Sequence, residues 1–472
     1  PFTCVAGANG VGKSNLFDAI SFLSHLADKS LTEAALAVRG GSAKQGSVKS
    51  LFRRRGEIVA DSMSFLAEFI IPTEGGDDLG QIAQASMTFL RYELELRHRP
   101  EPGVASGGQI EIVRESMVHL NKTSAKKNLS FRHTKAWRDS VVKGRRTSPY
   151  ISTNLGGIVS LHADAKHGHG GGRPRKIPAA RLPRTMLSSV NNAVEHRTLV
   201  LAKQEMMSWF ELHLEPSCLR SPDPFTAPRT VSPIGANLPA TLYSLAQSAE
   251  AEEQGSSTDL FARVANRLSE LIEDIGNVHV DVDDKRQLLS IVMTDRNQTE
   301  HMAASLSDGT LRFLALTVME VDPRNRSLMC LEEPENGIHP IRIPAMIDLL
   351  QDLAVDPHEA VDGDNPLRQV IVNTHSPSVV ACIPDDALLV ACSVHISRRH
   401  ARAGELRLQH LPETWRHDMD PEAPIVARGK LLAYLNPFAA AEDEARRGAG
   451  RRVIDRHDLQ LGLFRSLRKE TQ

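Results

Sequence analysis

The chain has 472 residues, of which 41% are hydrophobic and 24% charged, and its formal net charge is −2. Because one hydrophobic core rarely grows beyond about 250 to 300 residues, this length predicts two or three lobes. No apolar run approaches the ~18 to 20 residues that span a bilayer and no signal peptide is recognisable, so we expect a cytoplasmic protein that is not embedded in a membrane. The sequence enters an apolar run at Pro1 without an initiator Met, and we expect natural residues to precede it.

A phosphate-binding loop is predicted at the start of the chain. The apolar run PFTCVAG leads into GANGVGKSNLFDAISFL, which gives a buried strand, a glycine-rich loop and an amphipathic helix in that order. Glycines let backbone N–H groups converge on phosphate oxygens, and the next helix directs its positive dipole end at the same anion. In the pattern GxxxxGKS, Lys13 would reach the β- and γ-phosphates and the Ser14 hydroxyl would ligate magnesium. The alternative, a chance glycine-rich turn, is disfavoured by the complete pattern.

An antiparallel sheet is predicted beside this nucleotide core. The segments MSFLAEFII, SMTFLRYELEL and GQIEIV alternate apolar and polar residues with a period of two, which is typical of half-buried strands. They follow one another with short loops between them, as strands of an antiparallel sheet do.

Residues 121–184 form a strongly basic segment with a net charge of +13, in a protein that is nearly neutral. Such a charge excess predicts contact with nucleic acid, and Trp137 and Tyr150 could stack on bases. The alternative is a solvated insertion, and a metal site at His162, His167 and His169 is disfavoured. The basic residues are Lys122, Lys126, Lys127, Arg132, Lys135, Arg138, Lys143, Arg145, Arg146, Lys166, Arg173, Arg175, Lys176, Arg181 and Arg184, against Asp139 and Asp164.

Two helices and a hairpin are predicted in the next part of the chain. The run SSVNNAVEHRTLVLAKQEMMSWFELHL lacks Gly and Pro and predicts one long helix, and a proline-rich crossing follows it. A second helix is predicted at about residues 259–275, with Thr258 as N-cap and Gly276 as terminator. The runs NVHVDV and QLLSIVMT flank a DDKR turn and predict a hairpin.

Two further stretches carry residues suited to phosphate chemistry. In LSDGT, Gly309 allows a close backbone approach and Ser307 precedes a helix, so this serine could bind a γ-phosphate, not necessarily the one held by its own Lys13. The buried run SLMCL ends in Glu332 and Glu333, which point in different directions from the end of a strand. Glu332 would hold magnesium, and Glu333 would accept a proton from the attacking water.

A histidine follows the next apolar strand, QVIVNT. His375 could contact the γ-phosphate as the bond breaks, although a histidine at the end of a strand often has only a structural role.

GANGVGKSN, LSDG, LMCLEEPENGIHP and VNTHSP, in this order, resemble the ABC-type ATPase heads of the RecF, SMC and OLD-like group. Within that group the chain looks like the stand-alone bacterial AAA family ATPases, often found beside nucleases or in phage-defence operons. The resemblance covers residues 1–23 and about 277–391. It implies that ATP is bound by the Walker A residues Gly7, Asn9, Gly10, Gly12, Lys13, Ser14 and Asn15 and by the signature residues Ser307 and Gly309. The metal ligands would be Ser14 and Glu332, and the catalytic residues Glu333, His375 and Lys13. Residues 336–340 would form the D-loop.

The sequence departs from the group's pattern in two places. Glu332 stands where Asp is more usual, which lengthens the reach to magnesium by one methylene. The signature reads LSDGT instead of LSGGQ, which argues against a transporter. A Q-loop glutamine has three candidates in this sequence: Gln81, Gln84 and Gln109.

The resemblance implies an α/β fold: a P-loop NTPase of the ABC head type with a flanking antiparallel β-sheet and a large basic and helical insertion. It divides the chain into residues 1–120 and 258–400 as the halves of the ATPase head, 121–257 as the insertion and 401–472 as a helical tail. It implies ATP and Mg²⁺ as cofactors and hydrolysis of ATP to ADP and phosphate.

The resemblance also implies a homodimer, with ATP held between the Walker A of one subunit and the signature of the other. We expect this dimer to sense nucleic acid or phage and to act on a separate effector such as a nuclease, since no Toprim-like acidic cluster or HNH pattern stands out. The alternatives are a scaffold that binds ATP without hydrolysing it and, less favoured, a transporter subunit.

Overall fold

The structure is a computed structural model, and it describes residues 1–38, 48–55, 58–100, 108–164, 173–251, 256–272, 275–398, 401–419, 421–422, 424–427 and 431. Among these residues no helix is long and apolar enough to cross a membrane. The strands are β1 (Phe2–Ala6), β2 (Arg54–Arg55), β3 (Ile58–Val59), β4 (Ser62–Ile70), β5 (Glu74–Gly76), β6 (Ile82–Gln84), β7 (Phe89–Arg99), β8 (Gln109–His119), β9 (Ile151–Thr153), β10 (Ile158–Leu161), β11 (Arg175–Pro178), β12 (Phe210–Leu212), β13 (Asp223–Pro224), β14 (Ile275–Asp283), β15 (Leu288–Asp295), β16 (Glu300–Met302), β17 (Leu328–Glu332), β18 (Gln369–Thr374), β19 (Leu388–Arg398) and β20 (Ala401–His410). The α-helices are α1 (Ser14–Leu26), α2 (Leu31–Ala37), α3 (Lys122–Asn128), α4 (Lys135–Val141), α5 (Arg197–Met207), α6 (Pro216–Arg220), α7 (Leu238–Ala251), α8 (Ser257–Leu271), α9 (Asp308–Val321), α10 (Ile343–Leu353), α11 (Pro377–Val380) and α12 (Trp415–Met419).

A mainly parallel sheet holds the predicted nucleotide motifs. Its strand order is β12-β17-β18-β1-β19-β20, and all neighbouring pairs are parallel except β19 with β20. The central strands are short and apolar, with the burial expected of a sheet covered on both faces. Because parallel strands end at the same edge, the loops after β1, β12, β17 and β18 meet there.

The predicted antiparallel sheet is confirmed and is larger than expected. Its order is β11-β10-β9-β8-β7-β4, so three of its strands come from the basic segment. The predicted hairpin is β14 with β15, in a third sheet that also contains β13 and β16.

The core joins the phosphate-loop helix to the antiparallel sheet. On α1, Phe22, Leu23 and Leu26 are buried and pack with strand residues such as Leu90 and Ile112. With few aromatic residues in the chain, this core depends mainly on aliphatic side chains, and their burial is the main stabilising contribution. The helix that begins at Ser14 is therefore anchored to the antiparallel sheet by this shared core.

The predicted long helix over SSVNNAVEHRTLVLAKQEMMSWFELHL is wrong at both ends. Helix α5 covers only Arg197–Met207 of that run. At the start, Asn192 accepts the backbone N–H of Val194, a local bond that competes with helix formation. At the end, the run FEL forms β12, because pairing with β17 adds it to the edge of the parallel sheet.

The second predicted helix is confirmed but its ends differ from the prediction. Its N-cap is Ser256, which forms a capping box with Asp259, and not Thr258. It ends at Leu271, and Gly276 belongs to β14. A Cβ at Gly276 would lie 2.8 Å from the carbonyl oxygen of Asp295 on the paired strand, so a glycine is required by close strand approach and not by a helix end.

The end of the chain is only partly described. Residues 401–410 form β20, a strand and not part of a helical tail as expected. The chain divides into two compact units, Pro1–Ile425 and Val426–Gln472. In the second unit the structure describes residues 426, 427 and 431, so the helices predicted for the tail lie outside the described residues.

Candidate nucleotide site

The loop after β1 has the backbone of a phosphate loop. Gly10 and Gly12 have φ of 77° and 102°, left-handed values that favour glycine. Lys13 folds back over the loop, and its Nζ donates to the carbonyl oxygens of Gly7 at 2.7 Å and Ala8 at 3.1 Å. The ammonium thus lies above the loop whose N–H groups would face phosphate oxygens.

Lys13 lies in a largely buried setting with acidic neighbours. Burial lowers the pKa of this lysine below its usual value, and the charges of Glu333, Glu332 and Glu335 oppose that shift. A bound triphosphate would add negative charge beside the ammonium and favour its protonated form. Lys13 is therefore the cation that could pair with a polyanion at this position.

The two acids after β17 are held by the neighbouring strand β18. Asn373 donates its side-chain N–H to Glu332 Oε1 at 2.9 Å. The backbone N–H of Glu333 in turn donates to the Asn373 carbonyl oxygen at 3.0 Å. Asn373 therefore orients one carboxylate through its side chain and fixes the next residue through its backbone.

Glu333 has an unusual backbone and two side-chain donors. Its φ is 44°, a left-handed value that is uncommon for a residue with a Cβ and that occurs at functional sites. His375 Nδ1 donates to Glu333 Oε1 at 2.6 Å, and the Asn336 amide donates to Oε2 at 2.9 Å. Burial acts to raise the pKa of Glu333, but these hydrogen bonds and the charges of His375 and Lys13 outweigh it and lower the pKa.

The donor set fits a magnesium ion that is also held by phosphate. Glu332 offers a carboxylate oriented by Asn373, and Ser14 is exposed at the first position of α1. Mg²⁺ in nucleotide sites commonly takes one or two protein oxygens and completes its shell with phosphate and water. In the described part of the chain no cluster of three or more metal-binding side chains occurs.

Ser307 lies on the surface at the start of α9. Its Oγ caps the helix by accepting the Thr310 N–H at 3.2 Å, and the residue is exposed. Arg220 donates to the Leu306 carbonyl oxygen at 2.9 Å and also pairs with Asp308. The segment LSDG is therefore held in place by α6, with Ser307 exposed at the N-terminus of α9.

The signature segment touches the D-loop of the same chain. A Cβ added at Gly309 would lie 3.3 Å from the Gly337 carbonyl oxygen, which accounts for a glycine there. Arg312 on α9 also donates to the Asn336 carbonyl oxygen. Asn336 thus joins the helix that carries the signature to Glu333.

None of the three Q-loop candidates belongs to a strand of the parallel sheet or directly follows one. Gln81 and Gln84 belong to the β5–β6 hairpin region, and Gln109 begins β8. On the side away from β18, β17 pairs with β12, and the residue after β12 is His213. Sequence reasoning missed this histidine because the FEL run was assigned to a helix.

His213 faces a small pocket beside the two acids. The pocket has a volume of about 270 Å³ and is also lined by Glu332, Glu333, Arg312 and Asn336. His213 Nε2 lies 3.1 Å from Glu211 Oε1, and that hydrogen bond raises the pKa of His213.

A cavity of larger volume lies elsewhere. It measures about 780 Å³ and is lined by Phe2 and Thr3 at the amino end of β1, together with Trp137, Trp209 and Trp415. The phosphate loop follows the opposite, carboxyl end of β1, so the size of this cavity is no guide to the nucleotide site.

Where the structure describes it, the basic segment is folded and its charges are mostly on the surface. Asp164 is buried and accepts Arg146 at 3.0 Å, so one acid and one base of the segment are used internally. Trp137 and Tyr150 are 1% and 0% exposed, so the expectation that they stack on bases is wrong. Both are large aromatics used as core instead. Among the described residues of the segment, twelve basic residues are exposed: Lys122, Lys126, Lys127, Arg132, Lys135, Lys143, Arg145, Arg173, Arg175, Lys176, Arg181 and Arg184.

Comparison with known proteins supports the nucleotide fold. Residues 2–70 and 238–381 match the family model described as "AAA domain, putative AbiEii toxin, Type IV TA system". The matched residues make up a little under half of the chain and include all the motifs above. No match is found among curated proteins.

Solved structures of SMC heads are also similar. The SMC head bound to the C-winged helix domain of ScpA has 12% identity and a TM-score of 0.39, with 87% of this chain and 91% of that chain covered. The SMC head domain from Thermotoga maritima has 10% identity and a TM-score of 0.32, with coverage of 86% and 89%. Over residues 2–70 and 238–381, which carry the nucleotide motifs, the chain is thus similar to the AAA domain of this family.

Proposed function

We propose that this protein hydrolyses ATP at a site completed by a second copy of the chain, and that the resulting dimer reports the binding of nucleic acid to an effector protein. The observation that carries the hydrolytic part is the shared edge of the parallel strands. That edge brings Lys13, Glu332, Glu333 and His375 to one place, each fixed by backbone or side-chain hydrogen bonds.

Each of these residues has a role that its surroundings support. Lys13 would leave the loop carbonyls and bind the β- and γ-phosphates. Glu333 remains ionised at neutral pH because its pKa is lowered, so it can accept a proton from the attacking water. His375 would hold Glu333 and contact the γ-phosphate. Magnesium, held by Ser14 and Glu332, would supply charge neutralisation at the phosphates.

Dimerisation is supported by exposed residues at the start of α9 and in the D-loop. Ser307 is exposed at a helix N-terminus, and the D-loop residues Asn336, Gly337, His339 and Pro340 are exposed as well. Beside them Ile341 is 79% exposed, an apolar side chain that a second subunit would cover. In a two-fold dimer the same surface of each copy would meet the other, which puts Ser307 of one chain over the phosphates of its partner.

Nucleic-acid binding is supported by the twelve exposed basic residues of the segment 121–184. On α3, Lys126 and Lys127 lie side by side without a carboxylate within ion-pair distance among the described residues, whereas Lys122 and Lys135 share Asp139 at 3.6 and 3.7 Å. Unpaired exposed lysines gain most from replacing counterions on a phosphate backbone.

Hydrolysis is tested with Glu333→Gln, which keeps the shape of the side chain and removes the base. We expect the turnover of ATP to fall by roughly 100-fold or more while ATP is still bound, since general-base catalysis contributes about 10²- to 10⁴-fold. Turnover would be followed as released phosphate and binding by a fluorescent ATP analogue.

The matched control for that variant is Glu300→Gln, an exposed glutamate on β16 that does not line the pocket beside Glu332 and Glu333. Wild-type protein that binds ATP without turnover would support the scaffold alternative, and equal turnover in wild type and Glu333→Gln would exclude Glu333 as the base.

A further inference from the structure

A third carboxylate at the site has no role in the mechanism above. Glu335 is 9% exposed, and its Oε1 accepts the Thr374 hydroxyl at 2.5 Å. Its Oε2 is buried without a hydrogen-bond partner among the described residues. A buried carboxylate with a hydrogen bond to only one of its two oxygens lowers the stability of the fold, so its presence calls for an explanation.

Glu335 is buried close to the nucleotide motifs. Its negative charge acts to raise the pKa of Cys4 on β1 and of Lys13, and the charge of Glu333 acts to raise the pKa of Glu335. Burial raises the pKa of Glu335, and the Thr374 hydroxyl opposes that shift. The carboxyl group is therefore close to the phosphate loop and the catalytic pair but is covered from the solvent side.

Thr374 connects this carboxylate to the segment that carries His375. Its hydroxyl oxygen accepts the backbone N–H of Ser376 at 2.9 Å while the hydroxyl donates to Glu335. Its carbonyl oxygen accepts the N–H of Gly7 at 3.2 Å, at the start of the phosphate loop. His375 is thus bracketed by two residues whose positions depend on one hydroxyl group.

Glu335 also belongs to the turn that carries Glu333. The N–H of Asn336 donates to the Glu333 carbonyl oxygen, and the N–H of Ile338 donates to the Glu335 carbonyl oxygen, both at 3.0 Å. This turn starts from the left-handed backbone of Glu333. The Glu335–Thr374 bond therefore ties the turn after β17 to the end of β18.

We propose that Glu335 is a positioning residue that acts through Thr374 to hold His375 against Glu333; this inference rests on the proposed function of that pair. The two side chains of the pair are 31% and 41% exposed, so their hydrogen bond alone competes with water. The Glu335–Thr374 bond joins the same two segments in a water-excluded place, where a hydrogen bond is stronger.

The kinetic test removes and then restores the Thr374 hydroxyl. Thr374→Val keeps the side-chain shape but cannot bond Glu335, and Thr374→Ser keeps the hydroxyl. We expect Thr374→Val to lower kcat by roughly 10- to 100-fold with little change in the KM for ATP, because small misplacement of a catalytic group costs about that much. Thr374→Ser should retain most of the activity.

Coupling through one bond is tested by Glu335→Gln and by the double variant Glu335→Gln with Thr374→Val. The glutamine keeps an oxygen that can accept the threonine hydroxyl, so this single variant should keep its fold and lose less activity than Thr374→Val. In the double variant the loss should be no larger than in Thr374→Val alone, since both changes act on the same bond.

A structural readout separates this inference from the proposed function. In a crystal structure of Thr374→Val without nucleotide, we expect the 2.6 Å distance between His375 Nδ1 and Glu333 Oε1 to lengthen beyond hydrogen-bond range. If wild type does not hydrolyse ATP, the proposed function fails but this distance still tests the positioning role. An unchanged distance, or a Thr374→Val variant with lower melting temperature but wild-type kcat, would overturn the inference.

Discussion

At the scale of single residues, the two adjacent acids are distinguished by what the neighbouring strand donates to each. The pattern CLEE predicted that Glu332 and Glu333 would point apart, and the hydrogen bonds agree with that. Asn373 and Thr374 were not predicted as site residues. Their importance comes from the pairing of β17 with β18, which places Glu332 opposite Asn373. No local pattern encodes a register between strands that are forty residues apart in the sequence.

Glu115 carries a pH dependence of stability. It is fully buried on β8; burial raises its pKa to about 7, although Met186, Leu187 and Tyr92 donate hydrogen bonds to it. A carboxyl group whose pKa is higher in the folded state than in the unfolded chain stabilises the fold at low pH. That contribution is lost as the pH rises from about 4.5 to about 7.

We therefore expect the free energy of unfolding to fall less steeply with pH across this window in Glu115→Gln than in wild type. Urea denaturation at several pH values measures both slopes. The slopes, not the absolute stabilities, are compared, because glutamine cannot accept all the hydrogen bonds that Glu115 accepts. Parallel slopes for the two proteins would show that Glu115 does not titrate in this range.

At the scale of elements, apolar strands of the parallel sheet and the glycine loop were predictable, because each is a short run with clear end signals. Strand β12 was not, since its three residues follow a helix without a Gly or Pro between them. Only its pairing with β17 makes it a strand, and that contact is with residues more than a hundred positions later. Because the prediction did not include β12, it also missed His213.

The start of α8 offers a direct comparison of two N-cap residues. Ser256 accepts the Asp259 N–H, and Asp259 accepts the Ser256 N–H at 2.8 Å. We expect Ser256→Ala to destabilise the protein by about 1 kcal/mol, the usual cost of losing such a cap.

Thr258, the residue that the sequence favoured, lies inside the helix. Thr258→Ala should change the stability by less than about 0.5 kcal/mol. Urea denaturation of both variants decides between the two caps, and a larger loss in Thr258→Ala would contradict the structure.

At the scale of the whole molecule, the fold class followed from motif order, but the place of the basic segment did not. Composition showed its charge, whereas its strands join β8 of the antiparallel sheet through pairings that periodicity cannot specify. The same composition suggested aromatic stacking on bases, yet Trp137 and Tyr150 serve the core. Charge alone thus supports nucleic-acid binding here, which makes a salt-dependent measurement the appropriate test.

The nucleic-acid proposal is tested by reversing two charges on α3. We expect Lys126→Glu with Lys127→Glu to weaken binding to a duplex and to lower the slope of log K against log salt by roughly 2, about 0.9 for each phosphate that a lysine no longer neutralises. Fluorescence anisotropy with DNA and RNA duplexes measures both quantities. The control is Lys285→Glu with Arg286→Glu, an equal charge change on the exposed β14–β15 turn. Equal effects of the two pairs would mean that net charge, and not this surface, governs binding.

The central claim is that each ATP site combines Lys13 of one chain with Ser307 of another, and mixing two inactive variants tests it most directly. Lys13→Ala and Ser307→Arg each disable both sites of their own homodimer, but a mixed dimer has one site with neither change. With random pairing and independent sites, the mixture should regain roughly a quarter of wild-type ATP turnover. As a control, Lys13→Ala mixed with Ser14→Ala leaves no site intact and should stay inactive. If the first mixture is no more active than its components, the shared site is contradicted.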